Sequence, residues 1–391
     1  MPEKEKSLTE ILKDIAKKQG ADVISYDIED LSEYGTLSLG SPGLDFCTYN
    51  SFPEKAIIEI SGPEGSGKSS LADMICASFQ KKEMQRNPDN PKKILYVDLE
   101  FRKQPSWAKK MGFDMKNHAV KTLVYRPEDQ PAELIFNDII AMVRTDEIGL
   151  IVIDSLNMLV GQQTQGESLE KKQMGGIAGP LGDFVKRITS LLFKYNCTLI
   201  GINQLRDGLN PYGPAEVTSG GRAWKHACSL RLRVKKGKFI DEDGDELSNN
   251  AESPAGYIME VAVLKTSVCK WDRKLGRTVI NFNRGVDILQ DTIDVATYFN
   301  IIQNPVPGSF LVVDPDTGAS ILDSEGNPVK IRGKKNLKPY FEEHLDLWHK
   351  IYDKVYEKLS IKDDPNIISF ERMLQVNVAE AFGVDFAKEE E

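Results

Sequence analysis

The chain has 391 residues, of which 40% are hydrophobic and 28% charged, and its formal net charge is -9. This length suits one large domain with smaller additions, and the acidic balance excludes a uniformly basic nucleic-acid binder. Five scattered cysteines argue against a disulfide framework or a zinc site, and the lack of a long apolar run or a signal-peptide pattern predicts a cytoplasmic protein with no membrane partner.

The first predicted element is a short amphipathic helix near the start of the chain. Ser7 and Glu10 fit a capping box, and the helix that follows ends at Gly20. Its apolar side needs a surface to cover, either on its own domain or on a neighbouring subunit. We predict that residues 1–50 form an N-terminal helix and linker that serve oligomerisation.

Short apolar runs then alternate with longer amphipathic stretches. The predicted strands cover residues 56–60, 94–100, 122–125, 150–154, 198–203, 229–234 and 259–265. The first five leave room for helices between them, which indicates a mostly parallel sheet covered on both faces. The last strands are joined by short polar turns and indicate an antiparallel extension. We predict an α/β core over residues 51–290.

The composition changes after this core. A helix over residues 291–300, two short strands and a long helix over residues 339–359 predict a small α+β domain that ends at residue 362. Residues 363–391 form a predicted acidic tail. By contrast, residues 186–238 contain eleven Lys or Arg against two acids, so one middle segment is locally basic.

A phosphate-binding loop follows the first core strand. Residues 62–69 match G-x-x-x-x-G-K-[ST] between a strand and a helical stretch. Glycines let backbone N–H groups face phosphate oxygens, and the helix N-terminus favours an anion. The predicted nucleotide contacts are Gly62, Pro63, Glu64, Gly65, Ser66, Gly67, Lys68, Ser69 and Ser70. Among them, Lys68 would bridge the terminal phosphates and Ser69 would hold Mg²⁺.

Two carboxylates stand at the ends of other core strands. Asp154 follows four apolar residues, a position from which a carboxylate can reach magnesium. Glu100 ends the strand YVDLE, where it could orient or deprotonate a water molecule. A carboxylate in this position is usually a helix cap or a turn former. The catalytic interpretation of Glu100 therefore depends on its occurrence together with the phosphate loop.

An unusual loop leaves the fifth predicted strand. The strand ends in Asn203 and Gln204, and residues 205–221 are rich in Gly, Pro, Asn and Ser. A loop with little apolar content orders when something binds. The glutamine either caps the strand or contacts a ligand at the carboxyl edge of the sheet.

Five features in this order resemble the RecA family of ATP-dependent homologous recombinases. They are EISGPEGSGKSSL, YVDLEFRKQPSWAKKMGFD, LIVIDSLNML, INQLR followed by TSGGRAWK, and the layout of the C-terminal region. The resemblance covers nearly the whole chain and is that of a divergent member, of the kind that phages encode. It implies a RecA-type core and a DNA-dependent ATPase that forms filaments on single-stranded DNA and exchanges strands in recombination and repair.

The resemblance also implies roles for single residues. Lys68 and Ser69 would bind the phosphates and Mg²⁺ of ATP, Asp154 would belong to the magnesium site, and Glu100 would activate water. Gln204 falls on the switch glutamine, which would contact the terminal phosphate and hold the DNA loop.

Further positions match less completely. Trp107 falls where the family stacks an aromatic ring on adenine, although an ordinary partly buried tryptophan is the alternative. Phe282 takes the place of a common tyrosine. Lys265 matches the first of two lysines that act on the neighbouring subunit's ATP, but Ser267 replaces the second, and Lys270 is a candidate substitute.

The resemblance places DNA-binding loops at residues 161–182 and 205–221. The DNA contacts that it implies are Met174, Gly175, Lys186, Arg206, Gly220, Gly221, Arg222, Lys235 and Lys236. Backbone amides and cations of this kind follow a DNA backbone without reading bases. The acids of the tail would compete with DNA phosphates for basic surface, so removing them should tighten binding to duplex DNA.

Other functions stay open at this stage: a ring helicase with a similar core, a nonhydrolysing module that regulates a recombinase, and a small-molecule kinase. Glu100 argues against the second, and the basic middle segment has no role in the third. The expected partners are single- and double-stranded DNA, further copies of the chain in a helical head-to-tail filament, and single-strand-binding and mediator proteins.

Overall fold

The computed structural model of the chain describes residues 35–162, 176–207, 216–248, 250–360, 377–384 and 386. The predicted N-terminal helix lies outside the described residues, as does the central part of each predicted DNA-binding loop. The residues from Thr36 onward form one compact unit. Within the described part of the chain, no helix is long and apolar enough to cross a membrane.

The helices and strands alternate through the first two thirds of this unit. Among the described residues, the α-helices are α1 (Pro42–Thr48), α2 (Lys68–Arg86), α3 (Pro105–Lys110), α4 (Ala132–Val143), α5 (Ala178–Lys194), α6 (Gly221–Ala227), α7 (Ile288–Tyr298), α8 (Leu337–Glu343), α9 (Leu345–Leu359) and α10 (Val378–Phe382). The strands are β1 (Thr36–Leu37), β2 (Phe52–Pro53), β3 (Ile57–Gly62), β4 (Lys93–Asp98), β5 (Thr122–Tyr125), β6 (Ile148–Asp154), β7 (Thr198–Asp207), β8 (Glu216–Thr218), β9 (Cys228–Ile240), β10 (Glu246–Leu247), β11 (Gly256–Thr266), β12 (Leu275–Asn281), β13 (Gly285–Val286), β14 (Gln303–Val306), β15 (Ser309–Leu311) and β16 (Lys330–Arg332).

The main sheet has the order β13-β12-β11-β9-β3-β7-β6-β4-β5, with β10 and β8 attached to β9 and β7. The strands from β9 to β5 in this order are parallel, whereas β11, β12 and β13 extend the sheet in antiparallel fashion. The predicted fold class is therefore confirmed. Parallel strands end at one edge of a sheet, and the register places Gly62 beside Gln204 and Asp98 beside Asp154 at that edge.

Helices cover both faces of this sheet. The helices α2 and α3 pack on one face around a buried cluster that includes Ile58, Ile60 and Ile75. On the opposite face, α4 and α5 meet through Phe136 and Phe184, whose rings stack with centroids 4.2 Å apart. The strands are therefore buried on both sides, which explains their continuous apolar sequences.

A second apolar cluster joins α7, α8, α9 and the small sheet β14-β15-β16.

One long helix was expected over residues 339–359, but the chain forms two helices that break at His344. The backbone there leaves the helical region (φ -127°, ψ 57°), and the ring Nδ1 lies 2.7 Å from the carbonyl of Tyr340, which satisfies a group at the end of α8. The predicted domain boundaries stay predictions.

Part of the predicted tail packs against the main sheet. Val378, Phe382 and Val384 are buried in a cluster with Leu264 and Leu275 of β11 and β12. The acidic composition of residues 363–391 hides these apolar positions. Within this acidic stretch, the described residues 377–384 therefore cover part of β11 and β12.

Candidate functional site

The loop between β3 and α2 has the shape of an anion cradle. Gly65 and Gly67 have φ angles of 68° and 99°, and a Cβ atom on Gly67 would lie 2.7 Å from Cε of Met259, so only glycine fits there without strain. A Cβ on Gly65 would meet nothing within 4 Å. The buried hydroxyl of Ser66 has no hydrogen-bond partner among the described residues. The open loop and this hydroxyl fit the oxygen-rich triphosphate of a nucleotide.

The predicted phosphate lysine lies at the base of this loop. Lys68 Nζ donates hydrogen bonds to the carbonyls of Gly62 (3.0 Å) and Pro63 (2.6 Å). Burial lowers the pKa of Lys68, while the carboxylates of Asp154 and Glu100 raise it. The ammonium group is thus held by exchangeable carbonyl contacts, which phosphate oxygens could replace.

The predicted magnesium ligands are in direct contact. Ser69 Oγ donates to Asp154 Oδ2 at 2.8 Å, and the hydroxyl of Tyr96 donates to the same oxygen at 2.8 Å. Burial raises the pKa of the Asp154 carboxyl, and these two hydrogen bonds oppose the increase. A hydroxyl and a carboxylate oxygen are hard ligands of the kind that Mg²⁺ prefers.

Glu100 lies just beyond β4 and is held by two donors. Ser155 Oγ donates to its Oε1 at 2.7 Å, and Gln204 Nε2 donates to the same atom at 2.9 Å. The other oxygen, Oε2, lies 3.9 Å from Nη1 of Arg102, and the Glu100 side chain is 19% exposed. Fixing one oxygen orients the carboxylate and leaves the second turned toward a partly solvated space, the arrangement that a general base requires.

Two aromatic residues stand where the adenine ring is expected. Trp107 Nε1 donates to Ser70 Oγ at 2.9 Å, which fixes the indole against α2. Lys110 connects the Trp107 ring to the backbone of Phe282, because its Nζ lies 5.8 Å from the Trp107 ring centroid and donates to the Phe282 carbonyl at 2.8 Å. The phenyl ring of Phe282 also packs beside Tyr257, with centroids 5.8 Å apart.

Sequence reasoning missed four residues that position this site, namely Tyr96, Asp98, Ser155 and Asn157. Asp98 accepts hydrogen bonds from Nε and Nη2 of Arg126 at 3.0 and 2.8 Å, and from the backbone N–H groups that follow Glu100. It therefore holds the turn that carries the catalytic candidate. The sequence signal that could have identified them is their position at or just after the carboxyl-terminal parts of β4 and β6, next to the site residues predicted from the sequence.

Gln204 lies within β7, which continues to Asp207, and it connects the nucleotide site to the second predicted DNA-binding loop. Residues 205–207 of β7 pair with residues 216–218 of β8, so a two-stranded ribbon closes the base of the loop. Asn203 Nδ2 donates to the Ser219 carbonyl at 2.9 Å and to buried Glu59 at 2.8 Å. Arg231 and Trp224 also donate to Glu59, which anchors this base in the core.

Several predicted DNA contacts gather around this ribbon. Arg206 of β7 and Arg222 of α6 are exposed, and Gly220 and Gly221 adopt positive φ angles of 102° and 69° where α6 begins. A Cβ on Gly221 would lie 3.1 Å from that of Ala178, at the start of α5. The end of the first predicted loop therefore lies against the end of the second. Met174 and Gly175 lie outside the described residues.

Other predicted contacts lie elsewhere. Lys186 is exposed on α5 and pairs with Asp183 at 3.0 Å, and Lys235 Nζ donates to the carbonyl of Ala381 at 2.7 Å in the packed tail segment. Lys236 instead extends over the ring of Phe239 at 4.2 Å, with Tyr257 and Phe282 nearby. The structure thus brings Lys236 to the aromatic side of the nucleotide site rather than to the loop ribbon.

The predicted intersubunit lysine is bound within its own chain. Lys265 Nζ donates to the carbonyls of Lys225 (3.2 Å) and His226 (2.9 Å), at the end of α6. Burial lowers its pKa. These bonds connect the β11–β12 hairpin to α6, the helix that follows the second loop. A movement of α6 would therefore also change the contacts of Lys265.

Comparisons with known proteins agree with this arrangement. A family model described as the RecA N-terminal domain matches residues 6–286. Similar curated proteins named Protein RecA include one from Mycoplasma mobile, 30% identical over 93% of this chain and 99% of the relative, and one from Aquifex aeolicus, 28% identical over 91% and 94%. A solved structure of the RadB recombinase covers 64% of this chain and 98% of its own, with 18% identity and a TM-score of 0.45. The family match contains the phosphate loop, Glu100, Asp154 and Gln204 in one continuous run.

Proposed function

The chain belongs to the RecA family, and from that premise we propose that it assembles with ATP on single-stranded DNA and pairs this strand with homologous double-stranded DNA. It is a P-loop, DNA-dependent ATPase of recombination and DNA repair, and its family works with ATP and Mg²⁺. The residues that carry these steps are the proposals of the following paragraphs.

In the proposed reaction, water attacks the terminal phosphorus of ATP and the bond from that phosphorus to the bridging oxygen breaks, which releases ADP and inorganic phosphate. Glu100 accepts a proton from that water, and Lys68 with the backbone of the loop holds the phosphates. When bound at Ser69 and Asp154, Mg²⁺ supplies positive charge that neutralises the phosphate oxygens. Trp107 holds the adenine by stacking, with Phe282 beside it.

The observation that carries the DNA-dependent part of this function is the bond between Gln204 and Glu100. One side chain reaches the proposed catalytic carboxylate at 2.9 Å, while its backbone begins the ribbon at the base of the DNA loop. If the terminal phosphate of ATP draws the Gln204 amide toward itself, both the contact with Glu100 and the position of the ribbon would change. Coupling of this kind is reciprocal, so ATP should favour DNA binding and DNA should favour the ATP state.

Self-assembly has support in the exposed edge of the main sheet. The edge strand β5 exposes Leu123 by 40% and Val124 by 44%, and an unpaired edge with apolar side chains is a surface for another chain. We propose that the predicted N-terminal helix of a neighbouring copy contributes to this head-to-tail contact, because α1 (Pro42–Thr48), the later part of the predicted oligomerisation segment, is buried within its own chain. A contact between different surfaces extends into a helix when its rotation does not close.

Accessory partners and compartment follow from the same proposal. Single-strand-binding and mediator proteins act on the same DNA and are the proposed partners of the filament. The five cysteines are all free thiols, which suits a reducing cytoplasm.

Electron microscopy tests the proposal directly. The chain is mixed with single-stranded DNA and a nonhydrolysable ATP analogue, with Lys68→Ala as the control that should lose nucleotide-dependent assembly. Open helical filaments that also yield joint molecules with homologous duplex DNA support the recombinase. Closed rings without joint molecules would instead support a helicase.

A further inference from the structure

The amide of Asn157 bridges the two ends of the second predicted DNA-binding loop. Its Oδ1 accepts the backbone N–H of Gln204 at 2.7 Å, and its Nδ2 donates to Ser219 Oγ at 3.1 Å. Gln204 precedes the loop, and Ser219 follows the returning strand β8. One side chain thus binds both the outgoing and the returning strand of the loop base.

The segment that carries this amide also serves the nucleotide site. Asp154 bonds Ser69 of the phosphate loop, and Ser155 bonds Glu100. Asn157 follows within one short turn, Leu156–Met158. The same four-residue stretch therefore contacts the proposed magnesium ligand, the proposed base and the loop base, so a displacement at one contact changes the geometry of the others.

We propose that Asn157 is a positioning residue that transmits the nucleotide state to the DNA loop by holding Gln204 and Ser219 together. It rests on the proposed function, because it specifies how the coupling through Gln204 reaches the far side of the loop. Among the described residues, the Gln204 side chain donates to Glu100, and Asn157 adds a link from the same edge of the sheet to Ser219, beyond the backbone pairing of β7 with β8.

The side-chain amides of Asn203 and Asn157 both bind Ser219, but they bind different groups of that residue. Asn203 bonds both backbone groups of Ser219, its N–H at 3.2 Å and its carbonyl at 2.9 Å, and is tied to buried Glu59. That contact fixes the ribbon to the buried core. Asn157 is only partly buried and binds the Ser219 hydroxyl, which can rotate. The Asn157 contact is therefore the adjustable one.

The test compares Asn157→Ala, Ser219→Ala and the double variant with the wild-type chain. Three quantities are measured: affinity for an ATP analogue without DNA, the factor by which single-stranded DNA stimulates hydrolysis, and the factor by which the analogue tightens DNA binding. Asn137→Ala is a matched control, since that exposed amide on α4 makes a 3.5 Å contact with Arg187. Analogue affinity should stay within about twofold in every variant.

Both coupling factors should fall about fivefold to tenfold in Asn157→Ala and about fivefold in Ser219→Ala, the effect expected for neutral hydrogen bonds. The double variant should be no worse than Asn157→Ala, because the bond that Ser219→Ala removes is one of the two that Asn157→Ala already removes. Asn157→Asp should recover coupling to within about threefold, since its oxygens accept from Gln204 N–H and from the Ser219 hydroxyl.

Coupling factors in Asn157→Ala within twofold of wild type, or a double variant that loses the product of the single effects, would overturn the inference. If Asn157→Ala does not fold, Ser219→Ala against wild type decides in the same way. If Gln204→Ala abolishes coupling while both of these variants keep it, only the role of Asn157 fails. If the wild-type chain shows no coupling at all, the proposed function fails with it.

Discussion

Gln204 Nε2 and Glu100 Oε1 are 2.9 Å apart, although 104 positions separate the two residues in the chain. The bond spans the carboxyl edge of the sheet, from the end of β4 across β6 to the middle of β7. It joins the proposed base for ATP hydrolysis to the start of the loop proposed to bind DNA. An amide in this position can bond either the glutamate or a phosphate, and that choice is the proposed switch.

Glu100→Gln should keep ATP binding and lose hydrolysis. The amide preserves the shape and a carbonyl oxygen for the Ser155 and Gln204 donors, but it cannot accept the proton of water. We expect kcat with single-stranded DNA to fall by at least about a hundredfold, measured as phosphate release at saturating ATP. A near-normal kcat would show that another group activates the water.

Trp107→Ala should weaken ATP binding with little effect on the chemical step. The indole is fixed by its bond to Ser70, and loss of the stacking surface should raise the KM for ATP about tenfold while kcat changes little. Trp107→Phe should retain most of the affinity. Equal KM values for the alanine variant and the wild type would assign the tryptophan to packing alone.

The stability of the protein should depend on the protonation of Asp291. This buried carboxyl accepts hydrogen bonds from the hydroxyls of Ser41 and Thr278 and from the Val279 N–H, and burial raises its pKa from 3.8 to about 8. The folded chain then binds more protons than the unfolded chain between these pH values, so the free energy of unfolding falls as pH rises through this window.

The side chain of the Asp291→Asn variant cannot ionise, so this contribution to the decrease in the free energy of unfolding with rising pH should be absent. Urea unfolding at pH 5 and pH 9 measures it: the variant should become the more stable protein at pH 9 by at least about 1 kcal/mol. Ser360→Ala, an exposed hydroxyl at the end of α9, is a control that should not change the pH dependence. Parallel curves for Asp291→Asn and the wild type would contradict the assignment.

The packed tail segment separates two effects of truncation. Removal of residues 387–391 takes away three glutamates and should tighten binding to duplex DNA at low salt, with the gain disappearing as salt rises. Truncation after Lys362 would also uncover Leu264 and Leu275 and release the contacts of Arg233 and Lys235 with the tail carbonyls. That longer deletion should lower the unfolding midpoint, whereas the short one should not. If the affinity for duplex DNA does not change after the short deletion, the terminal glutamates do not compete with DNA and contribute to solubility alone.

The sequence was sufficient for the features that depend on neighbouring residues. The phosphate loop, the apolar strands and the antiparallel extension could be predicted because glycine spacing and hydrophobic runs are local signals. The roles of Tyr96 and Asn157 and the position of Lys236 over the rings of Phe239 and Tyr257 could not, because each depends on which distant strand lies beside it. The break at His344 was missed because the apolar pattern continues through it, while contacts of the His344 ring with the carbonyl and the ring of Tyr340 accompany the change in backbone direction.

The most direct test of the account is the affinity for labelled single-stranded DNA, measured with and without a nonhydrolysable ATP analogue in the wild-type chain and in Gln204→Ala. We predict that the analogue tightens DNA binding by about tenfold or more in the wild type, within the usual range of coupling between sites. Gln204→Ala should still bind the analogue and keep weak DNA binding, but the analogue should leave its DNA affinity unchanged. A Gln204→Ala variant with the full wild-type enhancement would contradict the link between the nucleotide site and the DNA loop.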